Sequence, residues 1–230
     1  MNIQGISVEV IRKKMKNLRL VVKPPHGEVR VSAPLRANNA DIHSFVSSNV
    51  EWIREQQARI SNTEYPAQLQ YKNGEIHRYW GVDKTLILMP CTHLNSSFSK
   101  RVVVDGDSIL LYAPKDASMQ QRQKCLDNFY RRELEKKIPP LITKYQPILG
   151  VSINEWRIKN MKTRWGSCNI TAKRIWLNLA LACYRENCLE YVVVHELAHL
   201  LERYHNRRFW QIVESCYPTW REANQLLNHH

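Results

Sequence analysis

The chain has 230 residues with a formal net charge of +13, and 43% of its residues are hydrophobic. This composition excludes a disordered chain, and no apolar run approaches the roughly 20 residues that a membrane-spanning helix needs. The first residues contain no basic region followed by an apolar segment, so we expect no secretory signal peptide. Six cysteines in such a chain are typical of reduced thiols, and we expect a cytoplasmic protein without membrane contact.

The first predicted unit is a group of strands followed by a helix. Residues 6–33 are predicted to form strands around a turn at Pro24-Pro25-His26-Gly27, and Pro34 ends them. The clearest alternation is that of Val29 and Val31 with Arg30 and Ser32. From Asn39 to Ile60 the apolar residues recur at helical spacing, which predicts one amphipathic helix. Residues 61–70 are polar and are predicted to connect this unit to the next.

A second unit repeats this order of strands and helix. Its strands are separated by turn signals at Gly81 and at Asp105-Gly106, the latter typical of a two-residue hairpin turn. A helix is predicted over residues 116–138. The run from Gly27 to Pro34 is echoed 79–80 residues later by the run from Gly106 to Pro114. Either an ancient duplication or a coincidence of turn chemistry explains the echo.

The remaining chain predicts a third group of elements, which begins around Pro139. A short helix through Tyr145 leads to a strand near Arg157–Thr163. After a turn at Trp165-Gly166, a second strand over Arg174–Leu181 alternates apolar residues with other side chains. The next predicted helix follows this strand directly.

These elements together predict an α+β fold. We expect residues 1–138 to form a β-rich and helical N-terminal region, made of two hairpin and helix units at 1–60 and 70–138. We expect residues 139–230 to form a separate C-terminal unit.

The strongest chemical signal is the His195-Glu196-Leu197-Ala198-His199 motif. Residues 189–204 contain no Gly or Pro and carry apolar side chains on nearly every helical face, which predicts a buried helix. Buried polar groups need partners, and histidines four residues apart can reach one divalent metal ion. Glu196, about 100° around the helix, is placed to hold a water molecule rather than the metal. The alternative is a core helix whose histidines bond to neighbouring residues.

A catalytic zinc site usually has a third protein ligand, and two residues compete for that role. His205 can approach if the helix ends near Arg203-Tyr204 and the chain doubles back. The spacing of His195, His199 and His205 is that of metzincin proteases, although those have Gly where this chain has Glu202. Glu202 lies on the same helical face but at least about 4.5 Å further along the axis than His199. We therefore favour His205.

These residues resemble a known family. Tyr191–His205 followed by Asn206-Arg207-Arg208-Phe209-Trp210 is similar to the signature of the YgjP-like metal-dependent hydrolases, relatives of the SprT-like and other zincin metallopeptidases. A second family motif is Arg164-Trp165-Gly166-Ser167-Cys168, followed by Trp176-Leu177-Asn178. The resemblance covers essentially the whole chain, although the N-terminal part is similar only in pattern.

The resemblance implies a zincin-like catalytic unit of the minigluzincin type. It implies one Zn²⁺ per chain, with His195, His199 and His205 as ligands and Glu196 as the general base. The fold is that of a peptidase, yet some relatives are described as UTP pyrophosphatases. The substrate is therefore expected to be a peptide, with a nucleotide as the alternative.

The predicted function is metal-assisted hydrolysis, most simply by a metallopeptidase. A UTP pyrophosphatase is the alternative, although the sequence has no Gly-rich phosphate loop and no carboxylate cluster for magnesium. A metal-stabilised, non-catalytic module associated with nucleic acid is the third hypothesis, but it leaves Glu196 without a role. We select Arg164, Trp165 and Asn178 as candidate substrate-binding residues, with a structural ion pair as the alternative for Arg164.

The positive charge is concentrated outside the metal motif. Residues 1–60 carry ten Lys and Arg against five Asp and Glu, and residues 101–170 carry thirteen against seven. Residues 171–230 carry seven against six. A basic surface could attract a polyanion or nucleic acid, although solvated basic faces are common and no nucleic-acid-binding motif is present.

Two further features have ordinary explanations. Cys168 is a candidate nucleophile, but a small residue that packs in a turn is the favoured interpretation. The terminal pair His229-His230 resembles the end of an expression tag, and we assign it no role.

Overall fold

A computed structural model describes residues 1–62, 69–91 and 101–228, which fall into two compact units, Met1–Gln68 and Leu69–His230. Most of the predicted connection at 61–70 and the pair His229-His230 lie outside the described residues. Each unit combines a four-stranded sheet with helices, so the predicted α+β class is confirmed. Within the described residues, every helix is too short or too polar to span a bilayer.

The first unit is a mixed sheet with two helices. Its elements are β1 (Asn2–Ile3), β2 (Ile6–Lys13), β3 (Arg19–Lys23), β4 (Glu28–Pro34), α1 (Asn39–Ser47) and α2 (Val50–Ser61). The strand order is β1-β2-β4-β3, in which β2 and β4 are parallel and the other pairs antiparallel. Its core contains Val8, Val31, Ile42 and Ile53, because alternate strand residues and one helical face point inward.

The single helix predicted from Asn39 to Ile60 is wrong, because the helix breaks between α1 and α2. At the break, the Ser48 hydroxyl donates to the Ser44 carbonyl at 2.9 Å, and the side-chain amide of Asn49 donates to the Phe45 carbonyl at 2.7 Å. Short polar side chains compete with the backbone for such carbonyls. Apolar spacing continues across the break, so periodicity alone could not reveal it.

The second unit begins with a sheet of the same topology. Its strands are β5 (Ile76–Tyr79), β6 (Val82–Pro90), β7 (Val102–Asp105) and β8 (Ser108–Ala113), in the order β5-β6-β8-β7. Again the central pair is parallel and the outer pairs are antiparallel. The hairpin predicted at Asp105-Gly106 is present, but Asp105 pairs with Ser108, so the turn residues are Gly106 and Asp107.

Helix α3 (Met119–Leu149) is longer than the helix predicted over 116–138. It starts with a capping box between Ser118 and Gln121 and ends at Gly150. It continues through Pro139, Pro140 and Pro147, which lie on its exposed side, where water can satisfy the carbonyls that a proline leaves without a partner. Its buried face runs on without interruption, with Leu126, Tyr130, Leu134, Ile138, Ile142, Tyr145 and Leu149. The division predicted between residues 138 and 139 thus falls inside a helix.

The elements that hold the metal motif follow α3. They are β9 (Glu155–Lys159), β10 (Gly166–Asn169), β11 (Arg174–Asn178), a 3-10 helix (Leu179–Cys183), α4 (Glu186–Ala198), α5 (Arg207–Cys216) and α6 (Trp220–Asn228). The strands form a sheet in the order β10-β11-β9. The strand predicted to reach Leu181 stops at Asn178, because the Asn178 side chain accepts from the Ala180 amide at 3.1 Å and caps the 3-10 helix.

Helix α4 is buried on nearly every side, as predicted. It packs against α3, α5, α6 and strands β10 and β11. Its apolar residues belong to the same core as α3, and Val193, Val194 and Leu197 are completely inaccessible. The metal motif therefore sits on a helix that several neighbouring elements hold in place.

Candidate metal centre

The structure brings three histidines together. His195 lies in the last turn of α4, His199 is its C-terminal capping residue, and His205 lies in the loop before α5. The Nε2 atoms of His195 and His205 are 2.9 Å apart. One ligand atom from each histidine lies within 4.8 Å of the other two, and no other such group occurs among the described residues.

A tight turn brings His205 back to the helix. Helix α4 ends at Ala198, not near Arg203-Tyr204 as predicted, and the Glu202 amide donates to the Ala198 carbonyl at 3.0 Å. The next helix, α5, starts at Asn206, whose side chain accepts from the Phe209 amide at 3.0 Å. His205 is therefore fixed between a helix end and a helix start.

Burial favours the neutral, metal-binding form of two of the three imidazoles, those of His195 and His199. Burial, reinforced by the charges of His199 and His205, lowers the pKa of His195 to about 3. Burial also lowers the pKa of His199. The Nδ1–H of His199 donates to the Glu202 carbonyl at 3.1 Å, which leaves its Nε2 lone pair free for a metal. The Tyr191 hydroxyl lies 3.4 Å from Nδ1 of His195. This contact holds the ring of His195 with its Nε2 atom toward the other histidines.

An aromatic ring supports all three ligands. Phe209 is completely buried, and its ring centroid lies 4.9, 4.6 and 4.8 Å from those of His195, His199 and His205. Trp210 stacks on His205 at 5.7 Å. These apolar surfaces leave the imidazoles little freedom to rotate and exclude water from one side of the group.

Glu196 is buried beside the histidines. Its side chain belongs to a residue that is only 4% exposed, and its Oε2 atom has no hydrogen-bond partner among the described residues. Burial raises the pKa of Glu196 to about 8, and the nearby Arg164 charge opposes that rise. A Cβ atom at Gly166 would lie 2.7 Å from Cδ of Glu196, so only glycine leaves room for this carboxylate. A buried carboxyl oxygen without a partner fits a site completed by a bound cation and water.

Glu202, the rival third ligand, is used elsewhere. Its carboxylate accepts from the Tyr204 amide at 3.3 Å, and its carbonyl accepts from His199. It is not part of the three-residue group that His205 completes. The physical reason is the early end of α4, which moves Glu202 off the helical face on which a longer helix would have placed it.

A cavity of about 820 Å³ opens above the three histidines. Two of the predicted substrate residues, Arg164 and Trp165, line it. Strand β10 forms one wall: it pairs with β11 on one side, and no described strand pairs with its other edge. The backbone groups on that open edge are available to a ligand.

Asn178, the third predicted substrate residue, does not line this cavity. It is 4% exposed, and its amide donates to the carbonyls of Met161 and Arg164 at 2.9 and 2.8 Å. Its Oδ1 accepts from the amides of Met161 and Ala180. Three of these four hydrogen bonds hold the segment that presents Arg164, and the fourth caps the 3-10 helix.

The thiol of Cys168 does not fit the role of nucleophile. Burial, together with the Glu196 charge, raises the pKa of Cys168 to about 11. At neutral pH the group stays protonated, and a thiolate is the reactive form. Cys168 packs in β10, which agrees with the structural interpretation.

Several residues of the site were missed by the sequence interpretation. Gly166 and Phe209 stood within the quoted motifs but received no role, although an isolated Gly in a strand is a signal of close approach. Arg203 also lines the cavity, and only the turn after α4 brings it there. No periodic signal could have predicted that position.

The solved structures with partial similarity to this chain include two metallopeptidase zymogens. The crystal structure of the metallopeptidase zymogen of Pyrococcus abyssi abylysin has 28% sequence identity, covers 39% of this chain and 90% of that chain, and gives a TM-score of 0.36. The corresponding zymogen of Methanocaldococcus jannaschii jannalysin has 22% identity, covers 39% and 92%, and gives a TM-score of 0.35. No curated protein matches the chain.

A family model described as YgjP-like, metallopeptidase domain, matches residues 16–230. The match includes both motifs on which the resemblance was based, and that prediction is confirmed. The chain therefore belongs to the YgjP-like family and contains a metallopeptidase-like domain with a cluster of three histidines.

Proposed function

We propose that this protein is a zinc-dependent peptidase that uses Glu196 as its general base. The observation that carries the proposal is the position of three histidines and one buried carboxyl group beside the open edge of β10. His195, His199 and His205 would hold one Zn²⁺, since three imidazoles with an open fourth position are a common catalytic zinc site. When bound, the cation lowers the pKa of a water molecule and polarises a carbonyl group.

Glu196 then has a defined role. Its carboxylate faces the cavity next to His195 and His199, where it can take a proton from the attacking water and pass it to the leaving amine. In the metal-free protein, burial favours the neutral carboxyl form. A cation bound to the histidines would stabilise the Glu196 carboxylate and lower the pKa of that group toward the working pH. Gly166 keeps the space that this proton transfer needs.

The edge of β10 supports a peptide substrate. An extended peptide can pair with the free backbone groups of Gly166–Asn169 as an additional strand, which would bring an amide carbonyl toward the histidines. A nucleotide has no peptide backbone, so it cannot pair with this edge as an additional strand. Within the described residues there is also no second group of metal-binding side chains that would hold the magnesium of a nucleoside triphosphate.

The test is a hydrolysis panel with zinc-loaded protein. Unfolded casein and a mixed peptide library are incubated beside a panel of nucleoside triphosphates that includes UTP, and products are identified by mass spectrometry. We expect peptide products and no nucleoside monophosphate. In Glu196→Gln the zinc should remain while peptide hydrolysis falls by roughly 10²–10⁴.

Two outcomes would contradict the proposal. Hydrolysis of UTP without any peptide cleavage would assign the site to phosphoanhydride chemistry. Peptide cleavage that survives within a few-fold in Glu196→Gln would remove the general base from the mechanism. Asn169→Ala is the matched control, because it changes a side chain of the same cavity but keeps the backbone edge of β10.

A further inference from the structure

Two arginines line the cavity, and the charge of one of them, Arg164, acts on Glu196. Arg164 lies two residues before β10, and Arg203 lies in the turn after α4. Both are exposed. Within the described parts of the chain, neither guanidinium has a hydrogen bond or an ion pair, and that of Arg203 only faces the ring of Tyr204 at 5.6 Å. The guanidinium donors of both residues are therefore available to a ligand.

Other arginines of the same unit are paired. Arg157 and Arg174 share the carboxylate of Glu155, and Arg221 pairs with Glu214. Three arginines outside the cavity therefore have carboxylate partners. The two cavity arginines differ from these in their location, at the wall of the candidate active site.

Positive side chains outnumber negative ones in the cavity lining, two to one. Glu196 is the one carboxylate among the lining residues, and it is buried at the base of the cavity beside His195. The remaining polar lining is uncharged and includes Ser167, Asn169, Thr171 and Asn224. With a divalent cation on the histidines, the mouth would carry more positive charge still, so a ligand with negative charge fits better than a neutral or basic one.

We propose that Arg164 and Arg203 form a carboxylate-binding subsite that selects peptides with a negative charge close to the cleaved bond. The inference rests on the peptidase function proposed above. A guanidinium offers a planar pair of donors that matches a carboxylate, and such pairs give orientation as well as affinity. The carboxylate can come from an acidic side chain or from the C-terminus of the peptide.

Binding to the zinc-loaded Glu196→Gln protein tests the subsite independently of turnover. The probes are short fluorescein-labelled peptides of alanine and serine in which one position, moved along the peptide, is aspartate, asparagine or lysine. Each peptide is made with a free and with an amidated C-terminus. We expect the best aspartate peptide, or the free C-terminus, to bind about tenfold more tightly than its neutral counterpart. Lysine should weaken binding.

Variants assign the preference to the two arginines. Arg164→Gln and Arg203→Gln, each in the Glu196→Gln background, should remove most of the tenfold preference, and Arg164→Lys should keep part of it. Arg36→Gln is the matched control, because it removes the same charge from an exposed residue outside the cavity and should leave the preference unchanged. A preference that persists with amidated peptides identifies a side-chain carboxylate, and one that requires the free terminus identifies the C-terminal carboxylate.

Cleavage by the wild type separates this inference from the proposed function. If peptides are cleaved with equal kcat/KM whatever their charge, the subsite is wrong and the peptidase function stands. If acidic peptides bind in an Arg164-dependent way but none is cleaved, the subsite stands and the peptidase function is wrong. Equal binding of all peptides, no binding at all, or UTP binding more tightly than every peptide would each overturn the subsite.

Discussion

The two compact units share one sheet topology but differ in the helix that follows the sheet. Both sheets have a central parallel pair between two antiparallel partners, and in both an Ala-Pro pair precedes a capped helix. The helix N-caps, Asn38 and Ser118, each lie four residues after the proline, Pro34 or Pro114. Turn chemistry explains two hairpins but does not require the same parallel pairing. The shared topology therefore supports the duplication suggested by the sequence echo.

The difference lies in the helix that follows each sheet. In the first unit it breaks after Ser47, and its two halves complete a small core of their own. In the second unit, α3 runs for 31 residues and packs against the 3-10 helix and α4. Because α3 is unbroken, it extends from the sheet to α4, the helix that carries the metal motif. The stability of the metal centre should depend on the second core and not on the first.

The largest expected effect comes from a matched pair of core substitutions. Leu134→Ala in α3 and Ile53→Ala in α2 each remove a completely buried side chain, which costs ~2–5 kcal/mol. Hydrogen exchange measured by mass spectrometry should show loss of protection in the second unit for Leu134→Ala and in the first for Ile53→Ala. Only Leu134→Ala should accelerate zinc release. Equal loss of protection in both units by either variant would contradict separate cores.

The next effect is a pH dependence that belongs to the second unit alone. The raised pKa of buried Glu196, about 8 against an ordinary value of 4.5, means that the folded metal-free protein binds a proton that the unfolded chain releases. This contribution to stability is present below pH 4.5 and is lost as the pH rises toward 8. The unfolding free energy of Glu196→Gln relative to wild type should therefore increase by on the order of 3 kcal/mol between pH 4.5 and pH 7.

Denaturant titrations with a chelator present measure that difference at each pH. Six of the seven tryptophans belong to the second unit, so their fluorescence reports its unfolding. A wild-type to variant difference that stays constant with pH would show that Glu196 is not desolvated in the folded protein.

A pair of glycine substitutions sharpens the comparison at smaller scale. Gly166→Ala adds a Cβ against the Glu196 carboxylate, so peptide hydrolysis should fall by about 10² while zinc is retained. Gly27→Ala in the first unit strains a residue at φ +69° and should cost about 1 kcal/mol of stability without changing hydrolysis. Steady-state kinetics and thermal unfolding of both variants give the comparison. Full activity in Gly166→Ala would show that Glu196 has more room than the structure gives it.

The smallest expected effect concerns the basic surplus of residues 1–60 and 101–170. Screening shortens the range of charges to about 8 Å at physiological ionic strength and to about 3 Å at 1 M salt. For an acidic peptide, kcat/KM should fall several-fold over that range while kcat changes little, and a neutral peptide should be nearly unaffected. Arg164→Gln should reduce this salt dependence more than Arg36→Gln does. Equal salt dependence for acidic and neutral peptides would show that the excess of basic residues does not attract the substrate.

The sequence predicted what a helical period determines. Histidines at i and i+4 share a face, so the neighbourhood of His195 and His199 follows from their spacing once the helix exists. The α+β class and the buried character of α4 follow from strand alternation and from apolar residues on every helical face. Periodicity could not place the end of α4, because that depends on how the Glu202 amide and the cap at Asn206 close the following turn.

Other features depend on tertiary packing that no local pattern reports. Helix α3 passes three prolines because they happen to face outward, and local propensity predicts a break there. Asn178 belongs to a motif that resembles the family's, but an asparagine can either line a cavity or hold a buried segment by hydrogen bonds. Its residue type therefore could not tell these two roles apart. Three of its four hydrogen bonds form only when the Met161–Arg164 segment is folded against it.

The central claim is that the second unit binds one metal ion through His195, His199 and His205. Zinc affinity, measured by competition with a chromophoric chelator, tests it most directly in wild type, His205→Ala and Glu202→Ala. We expect one zinc per chain in wild type, a loss of at least 10²-fold in affinity for His205→Ala, and a much smaller change for Glu202→Ala. No zinc bound to the wild type, or a larger loss for Glu202→Ala than for His205→Ala, would contradict this account.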